Sequence, residues 1–291
     1  MAVSDYALHR PLPELRDPLL VVMLTGWIDA SSAAEAAFGA MRGSCQASDL
    51  ATFDSDVFID YRARRPTMEL RDGVNTRLVW PEIVVSTGRT PDGRDIVLLG
   101  GPEPDSQWLR FCNSVSELAV TLGVVRMIAL GAYPFSSPHT RQPRMSCTAP
   151  SAETFAGLPF LTSSLDIPAG VSAALEHSLH AAGIPALGMW VQVPHYVAAM
   201  PFPAASVALL EMLHRVTGAT VPLDELSSAA LIQRQRIDEL VAANAEHVAM
   251  VHQLEVAYDA ADPQAGSLTA ELPSADQLAA EVERFLRDQT D

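Results

Sequence analysis

The chemically richest stretch of this 291-residue chain is residues 124–150, VVRMIALGAYPFSSPHTRQPRMSCTAP. An apolar run ends at Gly131, and prolines follow at 134, 138, 143 and 150. Proline removes a donor and fixes φ, so this part suits neither a helix interior nor a central strand. Between the prolines stand Ser136, Ser137, His139, Thr140, Arg141 and Arg144. Histidine can move a proton near neutral pH, and arginine can grip an anion with two parallel bonds. Asp29, Arg62, Arg65 and His195 offer the same chemistry from elsewhere in the chain. With His139 and Arg141 they form the candidate cleft or ligand-binding set. The expectation is that all six leave strand ends and converge on one edge of a sheet. No catalytic role follows for any of them, because no nucleophile–base spacing is present. The HExxH, GxSxG, GxGxxG and GxxxxGK[ST] signatures are absent. His177 and His180 share a helix face at i, i+3, but no third ligand accompanies them. No metal and no cofactor are expected.

Two members of the set also have plainer readings. Asp29, or Ser31 beside it, is placed to cap the helix that follows. Arg62, Arg64 and Arg65 come directly after Asp49, Asp54, Asp56 and Asp60. That switch of sign reads either as local ion pairing or as an arginine cluster aimed into a pocket.

The elements that would position these groups alternate in type. Leu19–Leu24 is a continuous aliphatic run, as in a buried parallel strand. An alanine-rich helix over about 32–42 follows and stops at Gly43. Strands are predicted at Asn75–Trp80, Ile83–Thr87 and Asp95–Gly100, the last two joined by an Asp92-Gly93 turn. A helix over about 105–122 shows three- and four-residue apolar spacing. The strand ending at Gly131, a helix over about 171–182, a strand at Ile184–Val193 and a helix over about 204–216 complete the series. This order predicts an α/β fold: a mixed, mainly parallel sheet sandwiched by helices, over residues 1–220. Residues 221–260 form a C-terminal helical appendage, either one long helix or a hairpin broken near Asn244. Its apolar stripe includes Ile237 and Val251, with Gln233 and Asn244 set into it. Polar residues in such a seam fix register or subunit number. Ile237, Asn244 and Val251 are therefore expected at an oligomer contact, with a trimer favoured. The alternative is a stripe that lies on its own domain. Residues 261–291 read as a linker and a short amphipathic helix with Leu278, Val282, Phe285 and Leu286 on one face.

Composition excludes several classes. The net charge is −16, which disfavours nucleic acid and anionic membrane as partners. No apolar run approaches the roughly 20 residues needed to cross a bilayer. The N-terminus lacks an apolar stretch, so no signal peptide is expected. Three cysteines, odd in number and far apart, indicate neither a disulfide scaffold nor a zinc site. A cytoplasmic location is expected.

Four pieces of sequence, in order, carry a family resemblance. They are Thr25-Gly26-Trp27-Ile28-Asp29-Ala30, Tyr61-Arg62-Ala63-Arg64-Arg65-Pro66, Gly131 with Pro138-His139-Thr140-Arg141, and Val193-Pro194-His195-Tyr196. Together they span roughly residues 19–260 and resemble the proteasome-assembly-chaperone-like family, in its bacterial and actinobacterial branch. The resemblance implies a phosphorylase/hydrolase-like sandwich and an oligomeric chaperone-like or scaffold protein. Its partners would be copies of itself and proteasome subunits or another protein. The competing reading is a small-molecule binder or enzyme of the nucleoside phosphorylase/hydrolase type. The last residues, Arg287-Asp288-Gln289-Thr290-Asp291, match neither tail through which proteasome-docking proteins often attach. Docking through that end is not expected.

Overall fold

The computed structural model describes residues 5–260. The tail expected to hold a linker and short helix lies outside them. The chain begins with an edge strand, β1 (Tyr6–Leu8), then the central β2 (Leu19–Thr25) and helix α1 (Ala33–Ser44). Next come β3 (Ser48–Phe53), the single turn α2 (Ser55–Phe58) and a hairpin of β4 (Thr67–Arg71) and β5 (Val74–Val79). A second hairpin, β6 (Val84–Arg89) and β7 (Asp95–Pro102), leads into α3 (Trp108–Thr121) and β8 (Arg126–Phe135). The remaining elements are β9 (Met145–Thr148), α4 (Val171–Ala181), β10 (Ala186–Pro194), α5 (Pro203–Thr217), α6 (Asp224–Ala242) and α7 (Ala245–Ala260).

Eight strands form one mixed sheet in the order β1-β3-β6-β7-β2-β8-β10-β9. Its centre is parallel: β2 pairs with β7 and β8, and β8 pairs with β10. Its flanks, β1-β3-β6-β7 and β10-β9, are antiparallel. The aliphatic run of β2 explains its central place, since a strand covered on both faces needs apolar side chains on both. Leu19, Val21 and Met23 enter a core with α1, α5 and α6. Leu20 and Val22 enter the opposite core with α3 and α4. The fold is therefore the expected sheet between helices. Strands β1, β3, β4 and β9 were not expected, because none carries an apolar run of strand length.

Two expected stops are corrected. Helix α1 continues through Gly43 to Ser44 and ends where Gln46 turns the backbone to φ 48°. Strand β8 continues past Gly131 to Phe135. Gly131 lies opposite Trp190 in the register with β10, and a Cβ there would stand 3.0 Å or less from three indole atoms. The glycine thus makes room for an indole and does not end the strand. Gly131→Ala is expected to cost about 1–2 kcal/mol in chemical denaturation, because the half-buried Trp190 can move only partly aside.

The segment after Pro222 is two helices. They part at Asn244, whose Oδ1 accepts the Glu246 N–H at 2.8 Å and so caps α7. Ile237 and Val251 are 2% and 6% exposed within their own subunit, and Ile237 belongs to the core beside α5. Ile237 and Val251 are thus satisfied inside the chain and have no surface to offer a second copy, whereas Leu240 of the same stripe is exposed.

Candidate functional site

The parallel strands β2, β8 and β10 end on the same edge of the sheet, where open α/β folds place ligands. His139 sits in the loop leaving β8 and is almost fully buried. Tyr196, just past β10, accepts the His139 backbone N–H at 2.8 Å and meets its ring Nδ1 at 2.6 Å. On the other side, His139 Nε2 lies 2.9 Å from Asp238 Oδ1 on α6. One arrangement satisfies every group. The Tyr196 O–H donates to Nδ1, which places the ring proton on Nε2 and aims it at the Asp238 carboxylate. Burial pushes the Tyr196 hydroxyl up to about 12, so it remains a donor at neutral pH.

The residues after His139 bind α7. Thr140 Oγ1 donates to Glu255. Arg141 grips both oxygens of Asp259, at 2.9 and 2.7 Å, and reaches Glu255 at 3.2 Å. This pairing holds the Asp259 carboxyl below the usual carboxylate range. Arg144 donates to the Tyr258 carbonyl at 2.7 Å, and its guanidinium lies 3.7 Å from the centre of the Tyr258 ring. The Tyr258 hydroxyl donates to the Gln142 carbonyl at 2.7 Å. The loop is therefore a clasp on α6 and α7: His139, Thr140, Arg141 and Arg144 are occupied by partners within the fold, while the buried Ser137 Oγ has none among the described residues.

The other candidates divide. Asp29 caps α1: its two oxygens accept the Ala34 and Glu35 N–H groups at 2.9 and 3.0 Å. Burial raises its carboxyl, and those backbone bonds partly oppose the rise. Asp29 also forms a backbone bridge to Ala132 of β8, and the Ser31 N–H donates to the Ala198 carbonyl beyond β10. His195 stands edge-on to Tyr196, ring centres 5.4 Å apart, with its buried Nδ1 unpartnered among the described residues. Asp29, His139 and His195 thus come from adjacent strand ends. Arg62 and Arg65 stay outside this edge. Arg62 is 90% exposed and pairs with its own Asp60, and Arg65 is exposed as well. Arg64 takes the inward position: it packs on Gly26, whose φ of 123° favours glycine, and bonds Asp105 at 3.0 Å.

Sequence reasoning placed Arg64 in the arginine cluster but chose Arg62 and Arg65 for the candidate set, and it missed the acidic half of the clasp. Asp238, Glu255 and Asp259 read as ordinary solvated helix charges. Among the described residues no group of His, Cys, Asp or Glu is arranged to hold a metal, and no helix is long and apolar enough to cross a membrane.

With this geometry established, three solved structures bear comparison. A protein of unknown function from Corynebacterium glutamicum superimposes with a TM-score of 0.82 at 31% identity, covering 88% of this chain and 97% of that one. A Mycobacterium tuberculosis protein of unknown function gives 0.81 at 35% identity, covering 88% and 91%. A Mycobacterium tuberculosis proteasome-assembly chaperone homologue gives 0.75 at 33% identity, covering 80% and 99%. No match was found among curated proteins. A model of the PAC2 family matches residues 23–241.

Proposed function

The chain belongs to the PAC2 family, and from that premise we propose that it is a chaperone-like scaffold for other proteins. It self-associates, with a trimer as the favoured state, and acts in the cytoplasm. The partner class is proteasome subunits, by analogy with the related Mycobacterium tuberculosis chaperone homologue. One observation carries the reading: at the sheet edge where an enzyme of this fold would hold its substrate, the motif residues bind the protein's own helices. His139 has both ring nitrogens engaged, and Arg141 has two carboxylate partners. Held in this way, His139 and Arg141 shape a surface and are not free to serve a substrate as base or anion clamp. The three cysteines are all free, which agrees with a reducing compartment.

Affinity capture of the tagged full chain from its own cells, read by quantitative proteomics, tests the scaffold reading. Reproducible enrichment of proteasome subunits is expected, and their reproducible absence would sink it. Thermal-shift screening with nucleosides, nucleotides and inorganic phosphate tests the enzyme-like alternative. A ligand at one hundred times its Kd would stabilise the fold by about 2.7 kcal/mol. No shift is expected at millimolar concentration.

A further inference from the structure

The hairpin of β4 and β5 is a separate two-stranded sheet, and all six residues of β5 are exposed. Met68 lies opposite Leu78, and the two-residue alternation puts Leu70 on the same side. These three large apolar residues are 41–52% exposed. An isolated hairpin is marginal in water, and a continuous apolar face of this kind marks an interaction site. Its charge is equally distinctive. Residues 62–80 carry five arginines against two acids, in a chain whose net charge is −16. Arg65, Arg71 and Arg77 have no carboxylate partner among the described residues.

The opposite combination stands on the outer sides of α6 and α7. Leu231, Ile232, Leu240 and Val256 are 56–72% exposed there. Asp238, Glu255 and Asp259 face the clasp, which leaves Asp224, Glu225, Glu239 and Glu246 exposed on these helices without an ion pair among the described residues, against Arg236. We propose that the β4–β5 hairpin of one copy docks on the acidic, apolar outer face of α6 and α7 of a second copy. The two patches are different surfaces of one chain, so the contact is heterologous, and repeating it builds a ring where the rotation closes and an open filament where it does not. Complementary charge selects this pairing over hairpin against hairpin, which would bring like arginines together. The inference rests on the self-associating part of the proposed function and names the surfaces involved.

Sedimentation velocity of the full chain, with two surface variants, provides the test. Met68→Asp/Leu78→Asp disables the hairpin, and Leu231→Asp/Ile232→Asp disables the helix face. Wild type is expected to run as an oligomer at micromolar concentration and each variant as a monomer with an unchanged circular dichroism spectrum. Mixing the two variants should restore a one-to-one dimer, because each keeps the surface the other lacks. A monomeric wild type, an oligomer indifferent to the hairpin variant, or a mixture that stays monomeric would each overturn the proposal. Arg71→Glu/Arg77→Glu is a second, purely surface variant. It should weaken association at low salt, and an unaltered oligomer there would count against the charge pairing. Affinity capture with the monomeric hairpin variant separates this proposal from the scaffold reading, since partner enrichment and self-association are read independently.

Discussion

The His139→Ala protein is expected to be less stable than its parent by about 2–4 kcal/mol, and to melt about 4–8 °C lower. The ring is almost fully buried, and its removal leaves a void, takes the acceptor from the Tyr196 O–H and takes the ring donor from Asp238. The damage should appear first in the helices that the clasp holds. Limited proteolysis is expected to cut within residues 222–260 faster than in wild type, while strands β2, β8 and β10 stay protected. Arg141→Ala should produce the same shift in cleavage pattern, since it releases Asp259 and Glu255 together. An unchanged melting temperature with an unchanged cleavage pattern would mean that other contacts hold α6 and α7.

The second large effect depends on pH. Glu176 on α4 is buried, and Thr148 Oγ1 donates to its carboxyl at 2.8 Å while Trp190 Nε1 approaches that hydroxyl at 3.2 Å. Burial pushes the carboxyl from its ordinary 4.5 up to about 7, and the single bond from Thr148 only partly opposes the rise. The folded state therefore holds this proton more tightly than the unfolded chain does. Its contribution is fully present below about pH 4.5 and is lost as pH rises through about 7. The expected loss across that window is on the order of 2–3 kcal/mol. Glu176→Gln keeps an uncharged partner for Thr148 and has no proton to lose. Chemical denaturation at about pH 5 and about pH 8 should show wild type losing stability relative to the variant. Parallel pH curves for the two proteins would show that Glu176 is not the group responsible. Asp5, Asp49 and Asp95, whose carboxyls lie below their ordinary range, contribute in the opposite sense and at lower pH, so they do not confuse the comparison.

The parts of this fold that could be read in advance are those where burial on both faces demands a run of apolar side chains. Leu19–Thr25 and the start of β8 were visible for that reason. Helix α3 was visible through its spacing, because one face must meet the sheet. Strand β3, SDLATF, buries only part of its length, and β4, TMELR, buries none. Their residues resemble a polar loop until a neighbouring strand supplies the ladder. The site divides in the same way. His139 and Arg141 stood out as uncommon groups in a proline-rich loop. Their partners lie about a hundred positions downstream on helices already rich in acids, where nothing local distinguishes a carboxylate that will be gripped from one that will stay in water. Ile237 and Val251 were placed at a subunit contact because a stripe does not state what it packs against.

The separation within the clasp also bears on how the chain is made. His139 meets a partner 99 residues away, and Arg141 one 118 residues away. Nearly all of the sheet is synthesised before either acid leaves the ribosome. At about 5–20 residues per second, residues 145–260 require roughly 6–23 s of further translation. Until α6 and α7 have been made, the loop with Arg141 and Arg144 lacks its acidic partners. Closure of the loop by α7 can therefore come only after residue 259 has been made, because Arg141 is held by Asp259.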